Sequence, residues 1–356
     1  MILVTGASGR FSSALLAELR ARGIPAVGGS RTPSAGQRHV DFSVPDSLDF
    51  NGVDTLLLVP AGAQEDDRQI AFNRAAVEVA ERDGVSHIVY TSLTGAGDHL
   101  SMALPHRVTE GIIMASGMTW TILRNGVYAE ILGVPLSWEK HGEALRIVSP
   151  LGDGAVAAVA RHDLACAAAS LLSDPGRHER KVYELVGSRA VSVADVAVRL
   201  GCEVRDISLG EYRQLLAEGG MPSFRQSLML SIASVIRHGF LARTGDDLPY
   251  LLGREPTDPL VVAAKALAAR RAVVPSVALS RVKGTTSRIT LRSRGKAMAR
   301  EGERAAGCSG RAPARGAGRM ELVSAGALEL QLTCNDRGAP RRRPGRHWPT
   351  GRRRRR

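Results

Sequence analysis

The chain has 356 residues, 44% of them hydrophobic, enough for one large domain or two modest ones with a sizeable core. Its formal charge of +13 is unevenly placed: residues 1–261 hold 24 Lys+Arg against 30 Asp+Glu, a net of −6, and residues 262–356 hold 24 against 5, a net of +19. A generally basic surface for nucleic acid or an anionic membrane is thereby excluded for residues 1–261, no apolar run is long enough to cross a bilayer, and Cys166, Cys202, Cys308 and Cys334 are spaced too widely for a zinc ribbon or a redox pair.

Met1 to Thr5 is a short apolar run suited to one buried strand. It leads into Gly6-Ala7-Ser8-Gly9, then into the amphipathic pattern Ser13 to Leu19; Gly23 closes that helix, and Ile24 to Gly29 reads as a second strand. Strand, glycine turn, helix, strand is a βαβ unit with its glycines where backbone N–H groups at a helix N-terminus can accept a pyrophosphate. The spacing is Gly6-x-x-Gly9-x-x-Ser12, with serine where a dinucleotide fingerprint has a third glycine.

Further on, Val40-Asp41-Phe42 reads as a third strand end, and Asp54 to Pro60 as a buried strand. Ala61-Gly62-Ala63 and a helix over 66–82 follow, then a strand over 86–92. Pro105 suits the first turn of a helix reaching Ser116, and 119–124 is the sixth strand. This alternation implies an α/β fold, a doubly wound parallel sheet of the Rossmann type. Residues 1–130 would form the dinucleotide-binding core. Residues 131–261, with shorter strands and several helices, would form a smaller α+β lobe on the substrate side, integrated with the core. From about Val262 onward Arg, Gly, Ala and Pro dominate, and disorder is expected. That ending reads either as a basic arm or as the unselected product of a frameshift in a GC-rich gene. Nothing in residues 1–261 prepares for nucleic acid, so such a role would rest on the tail alone. Met1 opening directly into a strand gives no signal peptide to expect, and the protein is expected in the cytoplasm.

The second strand ends Gly28-Gly29-Ser30-Arg31-Thr32, with no acid to bind ribose hydroxyls. Arg31 offers donors to a 2′-phosphate, so NADP(H) is preferred and NAD(H) allowed, unless Arg31 is only a solvated loop charge. Asp41 could take the adenine amino group or simply form a turn. Leu58-Val59-Pro60 and Tyr90-Thr91-Ser92 end strands at the edge where open α/β sheets bind ligands, which makes Val59, Thr91 and Ser92 pocket candidates; Tyr90 suits either pocket or core. Neither Tyr90 nor Tyr128 has lysine four residues on, so the tyrosine–lysine machinery of alcohol oxidation is missing.

The blocks LVTGASGRFSSALLAELRARG, GVSHIVYTSLTGAG, PHRVTEGIIMASGMTWTILRNGVYAE and LGDGAVAAVARHDLACAAASLL resemble, in order, the NmrA-like atypical short-chain dehydrogenases, and most nearly their bacterial NAD(P)H:quinone oxidoreductase branch. The resemblance spans residues 1 to about 260. It implies that Gly6, Ala7, Ser8, Gly9, Arg10 and Phe11 bind NAD(P)H, that Arg31 meets the adenosine phosphate, and that the nicotinamide lies near Thr91, Ser92, Asn125 and Tyr128. Ser92, Asn125 and Tyr128 are then the catalytic candidates. The family's pattern places a lysine near the nicotinamide ribose directly after His-x-x-Thr-Glu, and this chain has Gly111 there. The function implied is hydride transfer to a quinone or similar electrophile; a non-catalytic NADP(H)-binding redox sensor is the alternative. A homodimer is compatible with either, and no metal is called for.

Overall fold

The computed structural model describes residues 1–60 and 65–271. The expectations for Ala61-Gly62-Ala63 and for the tail from residue 272 onward lie outside the described residues.

Strands β1 (Ile2–Val4), β2 (Ala26–Ser30), β3 (Arg38–His39), β4 (Thr55–Leu58), β5 (His87–Leu93), β6 (Thr119–Asn125) and β10 (Lys181–Leu185) form one seven-stranded sheet in the order β10-β6-β5-β4-β1-β2-β3. Every pairing in it is parallel. Chain order reverses between β1 and β4, which opens a crevice at their carboxyl ends. The continuous apolar text of β4 follows from burial on both faces. Leu57 packs with Val4, Val89 and Leu123 under helices α1 (Arg10–Ala21) and α4 (Arg161–Ser173). Leu56 and Leu58 face the other way, with Leu3, Ile88 and Ile122, under α2 (Asp66–Arg82) and α3 (Ala103–Ala115).

A third apolar cluster forms the smaller lobe. Its sheet joins β7 (Ser137–His141), antiparallel to β8 (Ala144–Ser149), with β12 (Val204–Asp206) parallel to β8. A β9 (Ala155–Val156)–β11 (Val191–Ser192) pair and helices α5 (Val193–Leu200), α6 (Leu209–Glu218), α7 (Ser223–Arg237) and α9 (Pro259–Arg271) surround it. Local chemistry sets these ends: Ser192 and Asp195 form a reciprocal capping box on α5, and the Ser208 hydroxyl accepts from the Glu211 N–H at the start of α6.

Four expectations change. The third strand is Arg38–His39, earlier than residues 40–42, because Asp41 turns the chain by accepting from the Ser43 N–H at 2.9 Å. Strand β7 was not foreseen: Ser-Trp-Glu-Lys-His lacks apolar alternation, and its pairing with β8 through the Gly142 turn makes it a strand. The lobe drawn at 131–261 is not one piece, since α4, β10 and α8 (Asp247–Leu252) return to complete the core. Disorder from Val262 is overturned for residues 262–271, which continue α9 and bury Ala263, Ala264 and Leu267 against the small lobe. The run there is alanine-rich, and its arginines hide a stripe that packs.

Candidate functional site

The glycine turn is built to approach an anion closely. Gly6 has φ +64°, a left-handed conformation that a side chain resists, and Gly9 closes the turn by donating its N–H to the Gly6 carbonyl at 2.8 Å. No side chain caps α1, so its first N–H groups face outward with the helix dipole behind them. Ser8 and Arg10 are exposed, Ala7 is buried, and Phe11 is buried in the core. Phe11 can therefore offer a ligand only its backbone. Gly28 is needed for a different reason: a Cβ there would lie 2.7 Å from the Cβ of Ala7. These residues fit a dinucleotide's pyrophosphate.

Ser12, in the third glycine's place, is buried and donates its hydroxyl to the Thr5 carbonyl at 2.9 Å. The Thr5 hydroxyl accepts from the Val59 N–H at 2.8 Å and lies 3.1 Å from the Val59 carbonyl. The turn, the end of β1 and the end of β4 are thus tied together, with Val59 held through its backbone. At the other end, Arg31 is exposed just past β2, and the Ser30 hydroxyl accepts from the Thr32 N–H. One carboxylate oxygen of Asp41 takes both the N–H and the hydroxyl of Ser43, which is the turn-forming alternative.

A cleft of about 630 Å³ opens over the carboxyl ends of β4, β5 and β6, where Pro60, Ser92 and Asn125 line it together with His106 and Tyr128. Its far wall is apolar and comes from α7, including Phe224, Leu228 and Ile232. Glu65, Asp66 and Asp67, at the start of α2, are the charged lining residues; no lysine or arginine lines it among the described residues. Asn125 is buried and its Oδ1 has no hydrogen-bond partner, an open acceptor in the wall of a ligand site. Burial pushes the Tyr128 hydroxyl up to about 12, with Arg161, whose guanidinium lies 5.1 Å from the ring centroid, opposing the shift. Tyr128 therefore keeps its proton at neutral pH and can donate a hydrogen bond.

Thr91 is placed otherwise. It is buried within the sheet, with its hydroxyl 3.4 Å from the Leu58 carbonyl, and does not line the cleft. Alternation along β5 turns Ser92 toward the cleft and Thr91 away. The Ser92 hydroxyl donates to Glu110 at 2.5 Å and lies 3.3 Å from Arg107. Glu110 also binds Arg124 at 2.7 Å, and Arg124 binds Glu184 at 3.1 Å. Burial alone would raise the Glu110 carboxyl, but these partners outweigh it and hold the group below the ordinary range. The spacing of His106 and Glu110 suggests a single helix-face pair, yet both are buried and they take different partners: His106 Nδ1 meets the Tyr90 hydroxyl at 3.0 Å.

Gly111 is exposed on α3, and a Cβ built there would meet nothing within 4 Å. Gly111 is not part of the cleft wall, so the glycine opens no gap beside Ser92 or Asn125. Sequence reasoning missed Thr5, the Glu110–Arg124–Glu184 network and the apolar wall from α7. The one local signal for the network was His106 and Glu110, four apart on α3 and both buried.

Residues 6–175 match a family model described as NAD(P)H-binding. The chain is 30% identical over 280 residues to quinone oxidoreductase 2 of Escherichia coli K12, covering 72% of this chain and 95% of that protein. It is 29% identical over 261 residues to an NAD(P)H azoreductase of Xenophilus azovorans, covering 71% and 85%. Among solved structures, the triphenylmethane reductase of Citrobacter sp. complexed with NADP(H) superposes with a TM-score of 0.66 at 28% identity, covering 75% of this chain and 99% of that one.

Proposed function

The chain belongs to the NmrA-like atypical short-chain dehydrogenases, an NAD(P)H-binding family, and from that premise we propose that it reduces quinones or similar electrophiles with NADPH. One observation carries the reading: an apolar cleft of about 630 Å³ opens over Ser92 and Asn125, on the same sheet edge as the uncapped glycine turn. A flat aromatic acceptor is the ligand that such a wall rewards, since burial of its rings is worth about 25 cal/mol per Å². The residues that would hold the cofactor are the Gly6–Gly9 turn and the first N–H groups of α1, with Arg31 toward the 2′-phosphate and Asn125 and Tyr128 toward the nicotinamide. When bound, the dinucleotide supplies a hydride. The chain's own part is to align two rings and keep water away, which suits an acceptor whose reduced oxygen can be protonated by solvent.

The test is NADPH oxidation on addition of a benzoquinone, set beside NADPH and NADH titrations. Turnover that falls in Asn125→Ala and Tyr128→Phe supports the enzyme. Tight NADPH binding with no turnover across a panel of quinones sinks it and supports the redox-sensor alternative.

A further inference from the structure

Resting on that reading, we infer that His106 is a catalytic residue that donates an Nε2–H hydrogen bond to the acceptor's oxygen, and that Tyr90 is a positioning residue that holds the ring in that tautomer.

Tyr90 is fully buried on β5, and its hydroxyl hydrogen needs an acceptor there. His106 Nδ1 lies 3.0 Å from it. Thr109, the other hydroxyl nearby on α3, donates to the Pro105 carbonyl at 2.7 Å and accepts from the Asn73 amide at 3.1 Å; its second lone pair also acts on Tyr90, but His106 Nδ1 is the partner within hydrogen-bond distance of the phenol. With Nδ1 accepting from Tyr90, the proton of the neutral ring sits on Nε2. His106 lines the cleft, and no described residue is bonded to Nε2. Its environment keeps the ring neutral: burial above all, with Arg107 assisting and Glu110 opposing, lowers the imidazole to about 4. Phenol burial raises Tyr90, which prevents it from losing its proton to the ring.

Of the other donors in the cleft, the Ser92 hydroxyl hydrogen goes to Glu110, and Tyr128 is taken toward the nicotinamide in the reading above. As an acceptor carbonyl gains hydride, negative charge grows on its oxygen. A fixed neutral donor stabilises that charge more than it stabilises the uncharged ground state. No proton leaves His106 in this role; solvent protonates the reduced oxygen.

Two measurements test it. In a ¹⁵N spectrum of the full chain, the signal lost in His106→Gln should show protonated Nε2 and unprotonated Nδ1, and Tyr90→Phe should disturb that pattern. A signal with the proton on Nδ1 overturns the assignment whether or not any quinone is turned over. For kinetics with a benzoquinone, His106→Leu should lower kcat about 100-fold with NADPH affinity kept within about threefold, whereas His106→Gln, which returns an N–H near Nε2, should stay within about tenfold of the parent. Equal loss in the two variants, or no loss in His106→Leu while the parent is active, also overturns it. An inactive parent would instead defeat the quinone reading and leave the tautomer to decide the donor's direction.

Discussion

The buried hydroxyl of Ser12 donates to the carbonyl of Thr5 at 2.9 Å, so the residue standing in the third glycine's place ties the helix to the strand that precedes it. A glycine there would allow the same close approach without the tie. Ser12→Gly should therefore lower stability by about 1–2 kcal/mol, from a lost buried hydrogen bond and a glycine in the first turn of α1. Urea denaturation measures it, and NADPH affinity should hold within about threefold. An unchanged midpoint would show that the tie contributes nothing.

Arg31→Ala should weaken NADPH by about tenfold or more and leave NADH nearly unchanged, because only the former carries a 2′-phosphate for the guanidinium fork. Fluorescence titration of both nucleotides reads the ratio. Equal weakening would place Arg31 among ordinary loop charges.

Stability should fall in acid through His106. Its pKa is lowered to about 4 in the folded chain, against 6.5 for a free imidazole, mainly by burial. Between those values the unfolded chain binds a proton that the folded chain refuses, so stability drops as pH falls from 6.5 toward 4, by about 3 kcal/mol in all, and levels off below. His87 and His178 are lowered in the same direction, chiefly by burial, so the comparison is with His106→Gln, whose thermal midpoint should fall less over that window. Parallel pH profiles for the two proteins would refute the assignment.

Truncation after Val261 should destabilise the fold, since it cuts α9 and removes Leu267, 1% exposed, with Ala263 and Ala264. Loss of those contacts is worth about 3 kcal/mol or more, read as a drop in Tm. A chain ending at Val261 that melts with the full-length protein would show that α9 is dispensable.

What the sequence determined by itself was everything written in local pattern. Ile2 to Val4 followed by Gly6 and Gly9 and then the Leu15 and Leu19 stripe specifies strand, turn and helix, because each element depends on neighbours a few residues away. The alternation to Asn125 specified the parallel sheet for the same reason, and the shared edge of β4, β5 and β6 located the cleft. The tertiary structure decided which side chains meet. Glu110 of α3 finds Arg124 of β6, and Arg124 finds Glu184 of β10, contacts between segments that no spacing rule connects. It also turned Thr91 into the sheet and Ser92 toward the cleft, left Gly111 facing open space, and made a folded helix of residues first grouped with the basic tail. A residue's type is local information, whereas its partner is set by how distant segments pack. That is why the glycine turn was readable from the chain and the partners of Glu110 and His106 were not.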